Sequence, residues 1–572
     1  MSPRQLLLPC LALLVACAKP APPDRNADWD AFRDKFLESH LAANPTFAVY
    51  QGRHEFDGKF PDWSEAGIKT EIARLKTARD SAQAFPAEAL DSVRRFERDY
   101  LLAVVDQSLF WTESADAPHK NPDFYIGFFM LGPGVSPDVY LTRPYAPLPD
   151  RMRAYINWAK GIPAVLTQVK TNLHAPLARP LIDIGRTRYG GLAAYLKDDL
   201  PGVFTSITDT ALQGEFRTAN AAAAAAFVDL DNWLETQRAT QTENFALGPK
   251  LFAEMLRATE RVDVPLERLT QVGREDMARN VASLKEACAA FAPGKSIPEC
   301  MAKMNAHKPK VGPVAEATEQ LDTLQAFLRA KDLVTIPGTE TAQVHESPPY
   351  QRANSAYIDI PGPFEKGLPS IYYIAPADPK WSKAEQASYI PGVKDLLFTS
   401  VHEVWPGHFL QFLHANRAPS RVGQLFVGYA FSEGWAHYSE EMMWEAGLGA
   451  GDPETHIGQL SNALLRNARY LSAIGLHSGT MTVAESEKLF REEAFQDAAT
   501  ARQQAARGTY DPAYLNYTLG KLMIRKLRED WTATHGGKTS WKAFHDAFLN
   551  FGGPPVPLVR AAMLGANGGP AL

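Results

Sequence analysis

Cysteine is scarce in this chain, with four in 572 residues, and no two of them are spaced as Cys-x-x-Cys or accompanied by a nearby histidine. That spacing excludes a thiolate metal site. Positive charge is also short: 59 Lys and Arg stand against 65 Asp and Glu, a formal net charge of −6 with a pI of about 6.2. There is no basic stripe to neutralise phosphates, which argues against a nucleic-acid partner. No apolar run is long enough to span a bilayer. No Gly/Ser linker or low-complexity spacer divides residues 28–572, and no repeat of fixed period, histidine tract or coiled-coil heptad occurs. What remains is one large domain, 28–572, expected to form two lobes around a cleft.

The first residues carry a targeting pattern. Arg4 supplies a modest positive start, Leu6 to Leu13 an apolar stretch, and Leu14-Val15-Ala16-Cys17 an ending like a lipobox. Residues 1–16 therefore read as a signal peptide, with lipid attached to the Cys17 thiol, and 17–27 as a Pro-rich tether. The residue after Cys17 is Ala18 and not Asp, which favours the outer membrane, periplasmic face; an ordinary secretory signal would instead leave a soluble periplasmic protein. With Cys10 removed and Cys17 lipidated, Cys288 and Cys300 are the remaining pair. In an oxidising compartment, twelve residues apart and flanked by Pro293-Gly294 and Pro298, they are expected to form a disulfide.

Helical periodicity dominates the rest. Amphipathic segments recur at about 88–112, 148–173, 207–238, 264–291, 312–330, 452–478 and 512–530, with Pro-rich connections. A mainly α fold follows. Two short segments break the pattern: Ser370 to Ile374, β-branched and aromatic between Pro369 and Pro376, and Asn354 to Ile360, both of which read as strands. A sheet edge can take up an extended peptide through main-chain hydrogen bonds, which makes Tyr372 and Tyr373 candidate substrate contacts.

The densest chemistry lies in His402-Glu403-Val404-Trp405-Pro406-Gly407-His408 and in Ser432 to Glu440. Two metal-binding imidazoles usually stand at i and i+4 on a helix; here they are six apart, which on a regular helix separates them by about 240° and roughly 9 Å. Pro406 lacks the N–H that would bond to the His402 carbonyl, and Gly407 tolerates most backbone angles, so the segment is expected to bulge there and let the rings converge. Phe398, Val401, Phe409, Leu410, Phe412 and Leu413 place these groups in a buried helix, where they need a metal or each other. Candidates for a third ligand are Glu433, His437 and Glu440, on one helical face, with His414, Glu441 and Glu445 less specific. Glu433 is preferred, because Phe431, Trp435, Tyr438 and Met442 suggest a packed wall; Glu440 then orients a ligand histidine, and Glu441 and Glu445 are expected in solvent. Such a set would hold zinc, or manganese or cobalt, with an open position for water and Glu403 as general base. Tyr517, His477 and Tyr510 are candidate donors to an oxyanion. Arg466 and Arg469, three apart, are candidates to hold a substrate carboxylate, or are surface charge.

These motifs resemble the DUF885 family of bacterial proteins, in His-Glu-x-x-Pro-Gly-His-x-x-Gln from His402 to Gln411 and Glu-Gly-Trp-Ala-x-Tyr-x-Glu from Glu433 to Glu440. Asn44-Pro45-Thr46 with Gly52-Arg53-His54, Phe245 to Gly248, Arg466 to His477 and Tyr517 to Lys521 resemble that family's segments too, so the likeness covers nearly the whole mature chain. It implies a mainly helical zinc-peptidase-like fold with a deep cleft, to which the two strand segments add a small sheet next to the metal helix. It further implies His402, His408 and Glu433 as ligands, Glu403 as base, and His477 and Tyr517 ahead of Tyr510 as donors. His437 stands where relatives are expected to be apolar, and a surface-tilted ring is expected. The implied activity is a zinc-dependent metallopeptidase acting on peptides. The alternatives are a lipid-anchored binding or scaffold protein with a non-catalytic metal site, and a metal-dependent amidase or esterase.

Overall fold

In the computed structural model, residues 24–127, 134–348, 351–352, 354–565 and 568–572 are described. The signal segment, Cys17 and most of the tether lie outside the described residues. The fold is mainly helical with one small sheet. The helices that matter for the site are α1 (Asn26–Ala43), α2 (Ser92–Leu109), α3 (Leu148–Asn172), α4 (Arg179–Asp198), α5 (Thr210–Gln237), α6 (Leu266–Phe291) and α7 (Pro313–Lys331). Strands β1 (Ala342–Glu346), β2 (Ala356–Asp359) and β3 (Ser370–Ile374) follow. Then come α8 (Val393–Glu403), α9 (His408–Ala415), α10 (Tyr429–Glu445), α11 (Pro453–Ser478), α12 (Ala498–Tyr510) and α13 (Asn516–Ala533).

Local sequence explains these elements. In α5 the Asp209 carboxylate accepts from the Ala211 and Leu212 N–H groups, and Leu212, Phe216, Ala219, Ala223, Phe227, Leu230 and Leu234 fall inward at helical spacing. That stripe joins α3 and α4 in one apolar cluster of the first half of the chain. A second, larger cluster gathers α6 and α8 to α13, and a third holds α1 and α2 against Val422 and Leu425. Cys288 near the end of α6 is bonded to Cys300, with Cα atoms 5.8 Å apart, as their spacing predicted.

Two helices are buried on every side and form the centre. All residues of α10 from Tyr429 to Met443 are buried, as are nearly all of α11 from Ile457 to His477. Helix α13 crosses α10 at glycines: a Cβ at Gly520 would lie 1.9 Å from the Ala430 carbonyl oxygen, and one at Gly434 2.4 Å from Gly520 Cα. Only hydrogen fits in that crossing.

The sheet order is β1-β3-β2, with β1 parallel and β2 antiparallel to β3. This corrects the expectation for Tyr372 and Tyr373. Strand β3 is central, so both its edges are already hydrogen-bonded, and its five residues are all buried. Tyr372 packs in the large core, and Tyr373 stacks on Tyr357 at 5.0 Å. Strand β1 was missed, because its alternation is short and weak, with only Ala342 and Val344 turned to the core between exposed polar residues.

Candidate metal centre

The metal segment is two helices, not one bulged helix. Helix α8 ends at Glu403; Val404 leaves helical geometry, the Trp405–Pro406 peptide is cis, and α9 starts afresh at His408. Gly407 allows the return, since a Cβ there would meet the His402 carbonyl oxygen at 1.8 Å. The Trp435 indole N–H donates to the Pro406 carbonyl at 2.8 Å and ties the break to α10. The imidazoles converge as expected, with ring centres 4.8 Å apart and planes at 87°.

From α10, Glu433 reaches both rings: its Oε2 is 3.2 Å from His402 Nε2 and 3.3 Å from His408 Nε2. Two ligand atoms each ~2.0–2.1 Å from a tetrahedral ion lie roughly 3.3 Å apart, so both separations fit a shared zinc. One atom from each of the three residues lies within 4.8 Å of the others. On the far side, His402 Nδ1 is 2.7 Å from Glu440 Oε1, and His408 Nδ1 is 3.2 Å from Ser432 Oγ. The carboxylate fixes the His402 tautomer with Nε2 toward the site. Arg466 Nη2 lies 3.0 Å from the same Glu440 oxygen, so it acts as that carboxylate's cation and not as a donor to the ring.

The electrostatics follow from burial against pairing. Burial and the Arg466 charge oppose protonation of His402, yet its bonds to Glu433 and Glu440 raise it to about 9. Burial pushes the Glu433 carboxyl up, but the two imidazoles hold it well below its usual range. A cation is thus wanted at the convergence point, whether a proton or a metal ion. Glu403 behaves oppositely: burial raises it, against the pull of the neighbouring His408 and His402 charges.

Glu403 faces a cavity of about 1090 Å³, at the upper end for ligand sites. His402, His408 and Glu433 share its wall with Arg466, Arg469, Arg507 and Tyr517, with Ala356 to Ile358 of β2, and with residues from α1, α2 and their connections. The Tyr517 ring lies nearly parallel to that of His402 at 6.1 Å. Arg466 and Arg469 are 6% and 9% exposed, so the surface-charge alternative falls.

Over residues 45–563 the sequence matches the family described as "Bacterial protein of unknown function (DUF885)". The chain belongs to this family. No curated protein matches it. Two solved structures share the DUF885 chain's fold. One, a candidate lipoprotein of unknown function from Shewanella oneidensis, is 24% identical, with 94% of this chain and 99% of that one covered at a TM-score of 0.75. The other, a candidate lipoprotein from Colwellia psychrerythraea, is 17% identical, with 95% and 99% covered at a TM-score of 0.77.

Several residues singled out in this DUF885 sequence lie elsewhere. His477 is away from the cavity wall: its Nε2 donates to the Gly508 carbonyl at 2.8 Å, its Nδ1 accepts from the Leu247 N–H, and burial lowers it to about 4. Both nitrogens are consumed by backbone, so it is no oxyanion donor. Tyr510, Tyr372 and Tyr373 do not line the cavity either. His437 is wholly buried and not tilted to the surface, with Nδ1 3.2 Å from Glu440. Glu441 is likewise buried, bound by Lys521, Arg279 and Arg525. Glu445 pairs with Arg528, and His414 bonds the Thr335 carbonyl. The residue missed is Arg507 of α12, whose only sequence signal is Asp511 four positions on, its ion-pair partner at 2.8 Å.

Proposed function

We propose that this chain is a metal-dependent peptidase, exported and held to the cell envelope by a lipid on Cys17. The observation that carries the reading is the Glu403 carboxylate, buried and facing a large cavity beside two imidazoles and a carboxylate spaced for one ion. A zinc ion there would supply Lewis acidity and bring a water's pKa to near neutrality. Glu403 accepts the proton of the attacking water and returns it to the leaving amine, a role suited to a carboxyl raised by burial. The Tyr517 phenol, on the wall next to His402, donates to the developing oxyanion. Substrate lies along β2, whose outer edge carries no strand among the described residues and whose Ala356 to Ile358 line the cavity. Glu440 and Arg466 hold the His402 ring in place throughout.

Export is supported by the lipobox-like ending at Cys17, by the Cys288–Cys300 disulfide, and by the description of both structural relatives as candidate lipoproteins. The test is digestion of a peptide library with and without chelator, together with metal analysis of protein purified without chelators. Near one zinc per chain and chelator-sensitive cleavage are expected. Glu403→Gln keeps the metal and loses turnover by at least about a hundredfold, whereas His408→Ala loses the metal. Sub-stoichiometric metal, or cleavage indifferent to Glu403→Gln, overturns the reading.

A further inference from the structure

Three guanidinium groups surround Tyr517 on the cavity wall, at 4.9 Å for Arg469, 5.7 Å for Arg466 and 5.9 Å for Arg507 from its ring centre. Two of them are compensated. Arg466 pairs with Glu440, and Arg507 with Asp511, the latter also donating to the Tyr429 hydroxyl at 3.1 Å. Arg469 is different: it is 9% exposed, its Nε donates to Gln504 Oε1 at 2.8 Å, and among the described residues no carboxylate pairs with it. Burial and the charge of Arg507 lower it to about 10. A buried guanidinium without an anion is costly, and its two free Nη groups are left for a ligand. The Arg469 guanidinium is thus the one of the three without an anion among the described residues, and it is matched by a monoanion with a planar, two-oxygen face.

We propose that Arg469, with Arg507 beside it, binds the free C-terminal carboxylate of a peptide substrate. The inference rests on the peptidase reading and deepens it. Tyr517 spans the two places, with its ring 6.1 Å from the His402 ring and 4.9 Å from the Arg469 guanidinium carbon. At ~3.3–3.6 Å per extended residue, a carboxylate held there lies at most about three residues from the metal ligands. The products are then short C-terminal fragments of one to three residues, and peptides with a blocked C-terminus are poor substrates.

The test is binding of acetyl-Ala-Ala-Ala as free acid and as C-terminal amide to the Glu403→Gln protein, measured by calorimetry. The acid is expected to bind at least about tenfold more tightly, and Arg469→Met in the same background to bring the two within a factor of about three. Because Arg469→Met removes an unpaired buried charge, its melting temperature should equal or exceed the parent's, and the acid peptide should no longer raise it. Equal affinities, an acid preference that survives Arg469→Met, or no binding of either peptide overturns the inference. Preference for the acid that depends on Arg469, with no hydrolysis by the Glu403-intact protein, leaves the carboxylate site standing and removes the peptidase reading alone.

Discussion

Glu260 shows how much a single buried carboxyl can matter away from the cavity chemistry. It is 1% exposed, its Oε1 accepts from Asn516 Nδ2 at 2.9 Å, its Oε2 has no partner, and burial raises it from 4.5 to about 8. Between those two values the native state keeps a proton that the unfolded chain has released, so stability falls as pH rises from 4.5 to 8. Glu260→Gln keeps the acceptor and removes the ionisation. Its melting temperature should lose much of that decline and exceed the parent's at pH 8, on the order of 1–3 kcal/mol in stability. A variant less stable than the parent at pH 8 would refute this. The contrast with Glu433 explains what could be read from sequence. Two histidines and a glutamate in apolar helices announce themselves, because such groups are rarely buried without a shared purpose. Burial of His437 and Glu441 on α10, and of Arg469 on α11 against Gln504 of α12 and Tyr517 of α13, is set by helices packing from elsewhere in the chain, and nothing in their own neighbourhoods distinguishes them from surface residues.

Elements were legible where their period was strong and their ends were marked. The segment expected at 148–173 is α3, Leu148–Asn172, and that at 452–478 is α11, Pro453–Ser478, opened by the Asp452 cap and closed by Gly479 with φ +76°. The Pro-Gly pair marked a break, but whether it would bulge one helix or separate two depends on what Trp435 and the turn can hold, which local sequence does not encode. The crossing of α10 and α13 was equally hidden, because Gly434 and Gly520 matter only through each other. Gly520→Ala places a methyl against the Ala430 carbonyl and should cost about 1–3 kcal/mol. Urea unfolding measures it, and an unchanged midpoint would show that the helices have room to part. The same displacement moves Tyr517, three residues earlier, so hydrolysis should fall by more than the loss of folded protein explains.

The cavity belongs to the whole molecule. Its metal wall comes from α8 to α13, its opposite wall from residues 40–134, and no sequence pattern joins segments so far apart. What joins them physically includes Arg143, 2% exposed, whose Nη2 is 2.6 Å from Asp359 at the end of β2 and whose Nη1 is 2.8 Å from Glu365. The same Arg143 also donates to the Tyr50 carbonyl at 2.7 Å. His54 adds a second tie to Glu365 at 3.3 Å while stacking on Tyr145. Burial opposes its charge, but bonds to Asp57 and Glu365 raise it to about 9, so its contribution is full below pH 6.5 and disappears as pH climbs through 9. Arg143→Met leaves Asp359 and Glu365 without their cation and should cost on the order of 3 kcal/mol, seen as a lower melting temperature and faster proteolysis. If the loss comes from the stranded carboxylates and not from missing bulk, adding Asp359→Asn and Glu365→Gln to Arg143→Met should return part of the stability. A triple variant as weak as Arg143→Met alone would instead assign the seam to packing of Arg143 on the Tyr50 ring, 4.4 Å away.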